Sequence, residues 1–171
     1  MLAFFMAAQI FYLVMILNTL PHLQELAGGL SPFDMLPTGY DSDYAMAFLT
    51  AIGADGRTYY LTRQLPLDMI YPGLFAISYA IIWRWFLAKA TGLPALFGAV
   101  MFLPLLAGLS DYLENGLIFT MLTDFPDLSQ SLVRAASAVT MTKAALTSVY
   151  FVALIGLLAV LGVQKFRAAK P

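Results

Sequence analysis

Four long apolar stretches alternate with shorter polar segments along the chain, and this pattern sets the expected architecture. A helix of about 20 apolar residues crosses a hydrocarbon core of roughly 30 Å, and each stretch reaches that length. The stretches cover about residues 1–20, 68–89, 93–122 and 137–163. The pattern predicts an all-α fold, a membrane-spanning four-helix bundle that forms a single transmembrane domain over residues 1–171.

The polar segment between the first two stretches, residues 21–67, is expected to form a partly helical outer loop. Residues 31–34 favour a short helical start within it. Asp41 or Ser42 is suited to cap a helix that runs to Ile52. We expect this helix to lie on the membrane surface or over the mouth of the bundle; the alternative is a loop that only covers helix ends.

The composition separates this chain from water-soluble domains. Hydrophobic residues make up 61% and charged residues 11% of the sequence, so the surface is too apolar for water. No segment is rich in lysine or arginine, which argues against nucleic acid as a partner. The absence of cysteine excludes disulfides and thiolate metal sites. The first stretch has no basic residue before its apolar core and no small-x-small cleavage site, so we expect a retained helix rather than a signal peptide.

The distribution of basic residues favours cytoplasmic N- and C-termini. If the helices alternate in direction, more basic residues lie on the side of the termini, and cytoplasmic loops are enriched in lysine and arginine. The group on that side is Arg84, Lys89, Lys165, Arg167 and Lys170, and the opposite group is Arg57, Arg63 and Arg134. We therefore expect an integral protein of a bacterial inner membrane with both termini inside.

Reporter fusions test this topology. A reporter joined after Ala90 is expected to be active in the cytoplasm, because two crossings precede it. A reporter joined after Asp127 is expected to be active in the periplasm, because a third crossing has been added. Periplasmic activity after Ala90, or cytoplasmic activity after Asp127, would contradict the orientation.

Polar residues interrupt the third apolar stretch in the sequence GLSDYLENGLIF, residues 108–119. Asp111, Glu114 and Asn115 are spaced i, i+3 and i+4, so a helix places them on one face. At 1.5 Å per residue, Asp111 lies about 27 Å from a helix start near Leu93, close to the outer interface. The same face continues inward through Gly108, Ala107 and Pro104. Small residues on it would let another helix approach closely, so this face is expected to point into the bundle.

The other three helices are expected to bring polar groups to the same level. On the fourth helix Lys143 lies about 30 Å from the inner end, with Thr140 and Thr147 on its face. On the second helix Pro72 lacks a backbone N–H and is expected to free a carbonyl toward this layer. The candidate ligand-binding residues are Asn18, His22, Asp68, Tyr71, Asp111, Glu114, Asn115, Thr140 and Lys143.

Negative charge exceeds positive charge in this layer. A charge in hydrocarbon is costly, so intramembrane acids pair with a base or line a wet cavity. Lys143 is the expected partner of Asp111 or Glu114, but one lysine cannot neutralise Asp68 as well unless an arginine reaches in. The surplus implies a carboxyl group that keeps its proton, an acquired cation, or water.

Two functions and one structural role fit this surplus. The first function is binding of a membrane lipid head group, a cation or a partner helix, from another membrane protein or a second copy of the chain. The second is a small intramembrane enzyme whose paired carboxylates act on a lipid. The structural role is an ion pair that locks two helices together. The sequence indicates no cofactor, and a metal site of His22 with Asp68, Asp111 and Glu114 is the weakest alternative, since no spaced ligand motif supports it.

Three short patterns lie in the middle of the chain. They are Gly53-x-x-Gly56-Arg57-x-x-Tyr60, Asp68-x-x-x-Pro72, and Pro104 followed by Asp111-x-x-Glu114-Asn115. Together they resemble a pattern in uncharacterised bacterial four-helix integral membrane proteins with a D-x-x-E-N motif. The resemblance implies no activity. It implies that these positions belong together in one fold.

Overall fold

The computed structural model describes residues 2–168, and this part of the chain is all-α, without strands. The predicted fold class is confirmed. The α-helices are α1 (Leu2–Val14), α2 (Leu20–Leu26), α3 (Ser42–Ala51), α4 (Gly53–Tyr59), α5 (Leu65–Leu87), α6 (Phe102–Asp124) and α7 (Gln130–Ala168). The shorter elements are π-helical turns at Met15–Thr19 and Tyr60–Gln64 and 3₁₀ turns at Phe33–Met35 and Ala95–Met101.

In the described residues these elements merge into four continuous spans that are long and apolar enough to cross a membrane. Large apolar side chains stay exposed along them, as lipid-facing surfaces require; Leu17, Phe119 and Val152 are examples. The chain is therefore an integral membrane protein built as a helical bundle. The spans are the first (Leu2–Leu26), the second (Gly53–Leu87), the third (Ala95–Asp124) and the fourth (Gln130–Ala168).

Three of the four spans are longer than the sequence pattern predicted, and the third has the predicted length. The first ends at Leu26 rather than near residue 20, and the second begins at Gly53 rather than near residue 68. The fourth begins at Gln130 rather than near residue 137. Hydropathy detects the part of a helix that meets hydrocarbon, and polar residues can continue the same helix beyond it.

Two prolines of the predicted outer loop lie inside continuous spans. Pro21 and Pro66 each stand at the start of the α-helix that follows a π-helical turn. Proline is tolerated there, because the first turn of a helix has no partner for its N–H group. The two π-helical turns face each other, and the hydroxyl of Thr19 donates to Oε1 of Gln64. The prolines therefore mark a junction between the first two spans.

Residues 27–52 cover one end of the bundle, which we call the capped end. Its predicted helix is confirmed as α3, and Asp41 caps it by accepting a 2.8 Å hydrogen bond from the backbone N–H of Tyr44. The apolar side of this segment is buried among the span ends instead of resting on a membrane surface. The fully buried side chains of this cluster include Leu23, Phe33, Phe48, Tyr60, Ile118 and Val133.

A smaller aromatic cluster holds the opposite end together. Trp83 and Tyr150 are fully buried there. The indole N–H of Trp83 donates to the carbonyl of Phe97 at 2.8 Å, and the hydroxyl of Tyr150 donates to the carbonyl of Tyr79 at 2.7 Å. These bonds join the second span to the third and the fourth, and both polar tips are satisfied within the bundle.

The second and third spans meet most closely at Gly108. A Cβ atom added there would lie 2.9 Å from the carbonyl oxygen of Pro72 and 3.0 Å from Cβ of Ala76. Pro104 and Ala107 are buried beside it. The predicted close approach of another helix to this face is confirmed, and it fixes the distance between the two spans one turn below the polar residues.

Candidate functional site

Three polar residues of the third span face the interior of the bundle at its capped end. Asp111, Glu114 and Asn115 expose 7%, 0% and 1% of their surface. Their spacing puts them on one side of the helix, and the contact at Gly108 turns that side toward the neighbouring spans. The predicted orientation away from lipid is confirmed.

Lys143 of the fourth span binds both acids of this face. Its Nζ atom lies 3.1 Å from Oδ1 of Asp111 and forms a second ion pair with Oε2 of Glu114. Thr140, one turn away, donates its hydroxyl to Oε1 of Glu114 at 2.6 Å. The predicted pairing is present, and one ammonium group is shared between two carboxylates.

Asp68 of the second span is linked to the third span through its backbone. Pro72, four residues later, has no N–H group to donate to the carbonyl of Asp68. The side-chain amide of Asn115 donates to that carbonyl at 2.9 Å. The expectation that Pro72 frees a carbonyl toward the polar layer is confirmed. The carboxyl group of Asp68 is itself buried.

Asp34 also reaches this cluster, although it was not among the predicted residues. It belongs to residues 27–52, which cover the capped end and which we call the capping segment. It lies in the 3₁₀ turn Phe33–Met35, next to the fully buried ring of Phe33. The hydroxyl of Tyr60 donates to its Oδ2 atom, and its side chain lines the same cavity as Asp111 and Lys143. A residue in a short turn has no helical periodicity, so only tertiary packing shows where it points.

A cavity of about 270 Å³ lies beside this cluster, between the second and fourth spans. Carboxylates and Lys143 form its polar side, and the rings of Tyr71 and Phe75 form an aromatic wall. The lining residues are Asp34, Tyr71, Phe75, Ala107, Asp111, Lys143, Ala144, Thr147 and Ser148.

The acidic surplus inferred from the sequence is larger in the folded chain. Four carboxyl groups, those of Asp34, Asp68, Asp111 and Glu114, gather around Lys143. Arg63 and Arg134, which were considered as further partners, are both exposed.

Two predicted residues do not join the cluster. Asn18 and His22 of the first span are exposed, and the ring of His22 packs 4.6 Å from that of Tyr59. Thr19, the residue after Asn18, is buried and donates a hydrogen bond to Gln64. Within residues 2–168 no three His, Asp or Glu side chains are placed to hold a metal ion, so the structure gives no support to a metal site at His22.

Gly39 and Tyr40 hold the capping segment against the fourth span. The backbone N–H of Tyr40 donates to Oγ of Ser137 at 2.8 Å. Burial raises the pKa of the Tyr40 hydroxyl well above its usual value, because the charged phenolate would lose its water. The hydroxyl therefore stays neutral beside Glu114. This contact keeps Asp34 over the cavity.

Replacing Gly39 with alanine is expected to cost about 2–3 kcal/mol of stability. Its φ of +83° is unfavourable for alanine by roughly 1–2 kcal/mol, and the new Cβ would lie 2.6 Å from Oγ of Ser137. Gly53 is the matched control, because its φ is +64° and a Cβ there meets nothing within 4 Å. Gly53→Ala should cost only about 1 kcal/mol in thermal unfolding in detergent. Equal losses would show that Gly39 is not pressed against the fourth span.

Comparisons of the chain with protein-family models, with curated proteins and with solved structures gave no match. The functional interpretation therefore depends on the charge, burial and shape of the site itself.

Proposed function

We propose that this protein binds a membrane lipid through the positively charged ammonium group of its head group, held in the cavity between the second and fourth spans. The observation that carries the proposal is the charge of the site: acidic side chains outnumber the one lysine that pairs with them beside a cavity of about 270 Å³. Ionised acids at membrane depth need counter-charge. A cationic head group supplies it.

The walls of the cavity suit such a head group. Tyr71 and Phe75 present aromatic rings, and ring faces attract ammonium and quaternary ammonium groups. Ala107 and Ala144 are small and leave room next to Asp111. Ser148 lines the cavity and is exposed on the outer surface of the fourth span, so the acyl chains would leave the site on that side. We place the site in the outer leaflet of a bacterial inner membrane, with both termini in the cytoplasm.

A comparison of two lipids with the same acyl chains tests the proposal. Both lipids carry one anionic phosphate, but phosphatidylcholine adds a quaternary ammonium group and phosphatidylglycerol has no positive charge. Native mass spectrometry of the protein in detergent is expected to show one phosphatidylcholine per chain, bound at least about tenfold more tightly than phosphatidylglycerol, since a charge-assisted contact contributes about 1.5–3 kcal/mol.

A pair of variants tests the role of the acids: one removes a negative charge from the cavity, and its control removes a negative charge elsewhere on the same span. Asp111→Asn should weaken phosphatidylcholine binding by about tenfold, whereas Asp124→Asn, an exposed acid at the end of the same span, should leave it unchanged. Equal affinity for the two lipids, or an unaffected Asp111→Asn variant, would show that the cluster only locks the helices together.

A second candidate function is acid–base catalysis on a lipid, and the neighbouring carboxyl groups of Asp111 and Glu114 beside the cavity favour it. Paired carboxyl groups can serve as the acid and the base of a proton transfer. Mass spectrometry separates the two candidates. A binding protein retains one intact lipid through incubation, whereas an enzyme converts it to a product of different mass.

A further inference from the structure

A groove of about 330 Å³ lies between the second and third spans and shares no lining residue with the cavity described above. Leu61, Leu65 and Met69 form its wall on the second span, and Tyr112 and Phe119 form its wall on the third. Met69, Tyr112 and Phe119 are exposed, so the groove opens on the outer surface of the bundle, where the hydrocarbon lies. Within residues 2–168, no charged side chain lines it.

Asn115 brings a buried amide group to this groove. Its nitrogen donates to the carbonyl of Asp68, which can only accept, so the amide oxygen is the end left over. This Oδ1 atom has no hydrogen-bond partner, although Asn115 is only 1% exposed. The hydroxyl of Tyr112 does not serve it, because that group lies against Gly73, where a Cβ atom would be 2.7 Å away. Buried polar atoms are nearly always hydrogen-bonded, so Oδ1 requires a donor from outside the chain.

The other buried polar atoms without a hydrogen-bond partner in residues 2–168 belong to residues that face the fourth span. Asp34 lines the cavity beside Lys143. Oε2 of Glu114 forms an ion pair with Lys143. Tyr40 is held to Ser137 through its backbone. None of these residues lines the groove, so the oxygen of Asn115 is the unsatisfied acceptor that the groove holds.

We propose that an uncharged lipid alcohol binds in this groove, with its hydroxyl donating to Oδ1 of Asn115 and its hydrocarbon chain along the apolar walls. A single acceptor in an apolar site selects a donor, and a hydroxyl supplies one without bringing charge. A charged head group would find no counter-charge in the groove. The third-span wall extends for about 10 Å between Tyr112 and Phe119, at 1.5 Å per residue, and gives the chain a surface to lie on. This site does not depend on the proposed function.

The shape of the groove favours a lipid over a helix of another protein. Helices associate in membranes through small residues that let their backbones approach closely. The groove has one such residue, Gly116, and the larger side chains of Met69, Tyr112 and Phe119 stand exposed around it. These side chains would hold a partner helix away from Asn115, whereas a slender lipid chain can pass between them.

Two ligands that differ only in their donor test the proposal. Hexadecanol carries a hydroxyl, and 1-methoxyhexadecane has the same chain and oxygen but no O–H group. Native mass spectrometry in a detergent without hydroxyl groups is expected to show one hexadecanol per chain. It should bind about tenfold more tightly than the ether, since the ether leaves the buried acceptor without a partner.

Filling the groove gives the first variant. Gly116 is exposed and a Cβ there meets nothing within 4 Å, so Gly116→Leu should fold, occupy the groove and abolish hexadecanol binding. Gly162→Leu is the matched control, because Gly162 is an exposed glycine of the fourth span with equal room. It should bind hexadecanol as the wild type does. Phosphatidylcholine binding should persist in both variants, since neither residue lines the head-group cavity.

Removing the acceptor gives the second variant. Asn115→Ala should bind the alcohol and the ether with equal affinity, because no oxygen is left to receive the hydroxyl. This change also removes the hydrogen bond to Asp68. If the variant does not fold, the two ligands and Gly116→Leu still decide the proposal.

Equal affinity of the wild type for the alcohol and the ether would overturn the proposal, and so would hexadecanol binding that survives in Gly116→Leu. A protein that is dimeric in detergent and becomes monomeric only in Gly116→Leu would show that the groove receives a helix instead. The phosphatidylcholine measurement decides the proposed function separately.

Discussion

Replacing Lys143 with methionine is expected to destabilise the protein by about 3–5 kcal/mol, the cost of removing one partner from a buried ion pair. Asp111 and Glu114 would lose their shared counter-charge, and they expose only 7% and 0% of their surface, so water cannot replace it. Thr140 would keep its hydrogen bond to Glu114, but a hydroxyl does not replace a charge. Thermal unfolding in detergent measures the loss.

A second substitution should restore part of that loss. Glu114→Gln or Asp111→Asn in the Lys143→Met background removes one uncompensated carboxylate, so each double variant should be more stable than Lys143→Met alone. A double-mutant cycle gives the coupling energy directly. Strict additivity would mean that Lys143 is not the counter-charge of these acids in the folded protein.

Replacing Gly108 with leucine is expected to cost about 3 kcal/mol, the upper part of the range for an overpacked core. The added side chain would meet the carbonyl oxygen of Pro72, where even a Cβ atom would be 2.9 Å away. Backbone cannot move aside as a flexible side chain can, so the second and third spans must separate. The hydrogen bond from Asn115 to the carbonyl of Asp68 would lengthen with them.

Gly116 provides the control for this prediction. It lies on the same span, is exposed, and a Cβ there meets nothing within 4 Å. Gly116→Leu should therefore leave stability unchanged or raise it by up to about 1 kcal/mol, since leucine favours a helix more than glycine does. Lipid binding should weaken in Gly108→Leu and persist in Gly116→Leu. Similar losses at both positions would contradict the close contact of the spans at Gly108.

The sequence by itself determined the class of the fold and one face of the site. Apolar stretches of the right length required membrane-spanning helices. The i, i+3, i+4 spacing of Asp111, Glu114 and Asn115 then put these side chains on one side of a helix. Because charge is unfavourable in hydrocarbon, we expected that side to face the interior and to pair with Lys143. Local rules of spacing and solvation were sufficient for each of these steps.

Some helix boundaries and some residue positions could not be predicted from spacing or solvation. Residues 21–67 were predicted to form an outer loop, yet Pro21 and Pro66 each lie inside a span, after a π-helical turn. Asn18 and His22 were expected in the polar layer, but the first span is rotated so that Thr19 points inward instead. The rotation of a helix depends on the side chains of its neighbours, and a largely apolar helix carries little pattern of its own to fix it.

The tertiary structure alone decided that Asp34 belongs to the site. It lies far from the other acids in sequence and in a turn without periodicity. It reaches the cavity because Phe33 is buried beside it and because Gly39 and Tyr40 hold the segment against the fourth span. Contacts between distant segments set this position, and no local pattern encodes them. The sequence thus determined that the bundle holds more negative than positive charge, whereas the packing of the capping segment decided that Asp34 lines the same cavity as Asp111 and Lys143.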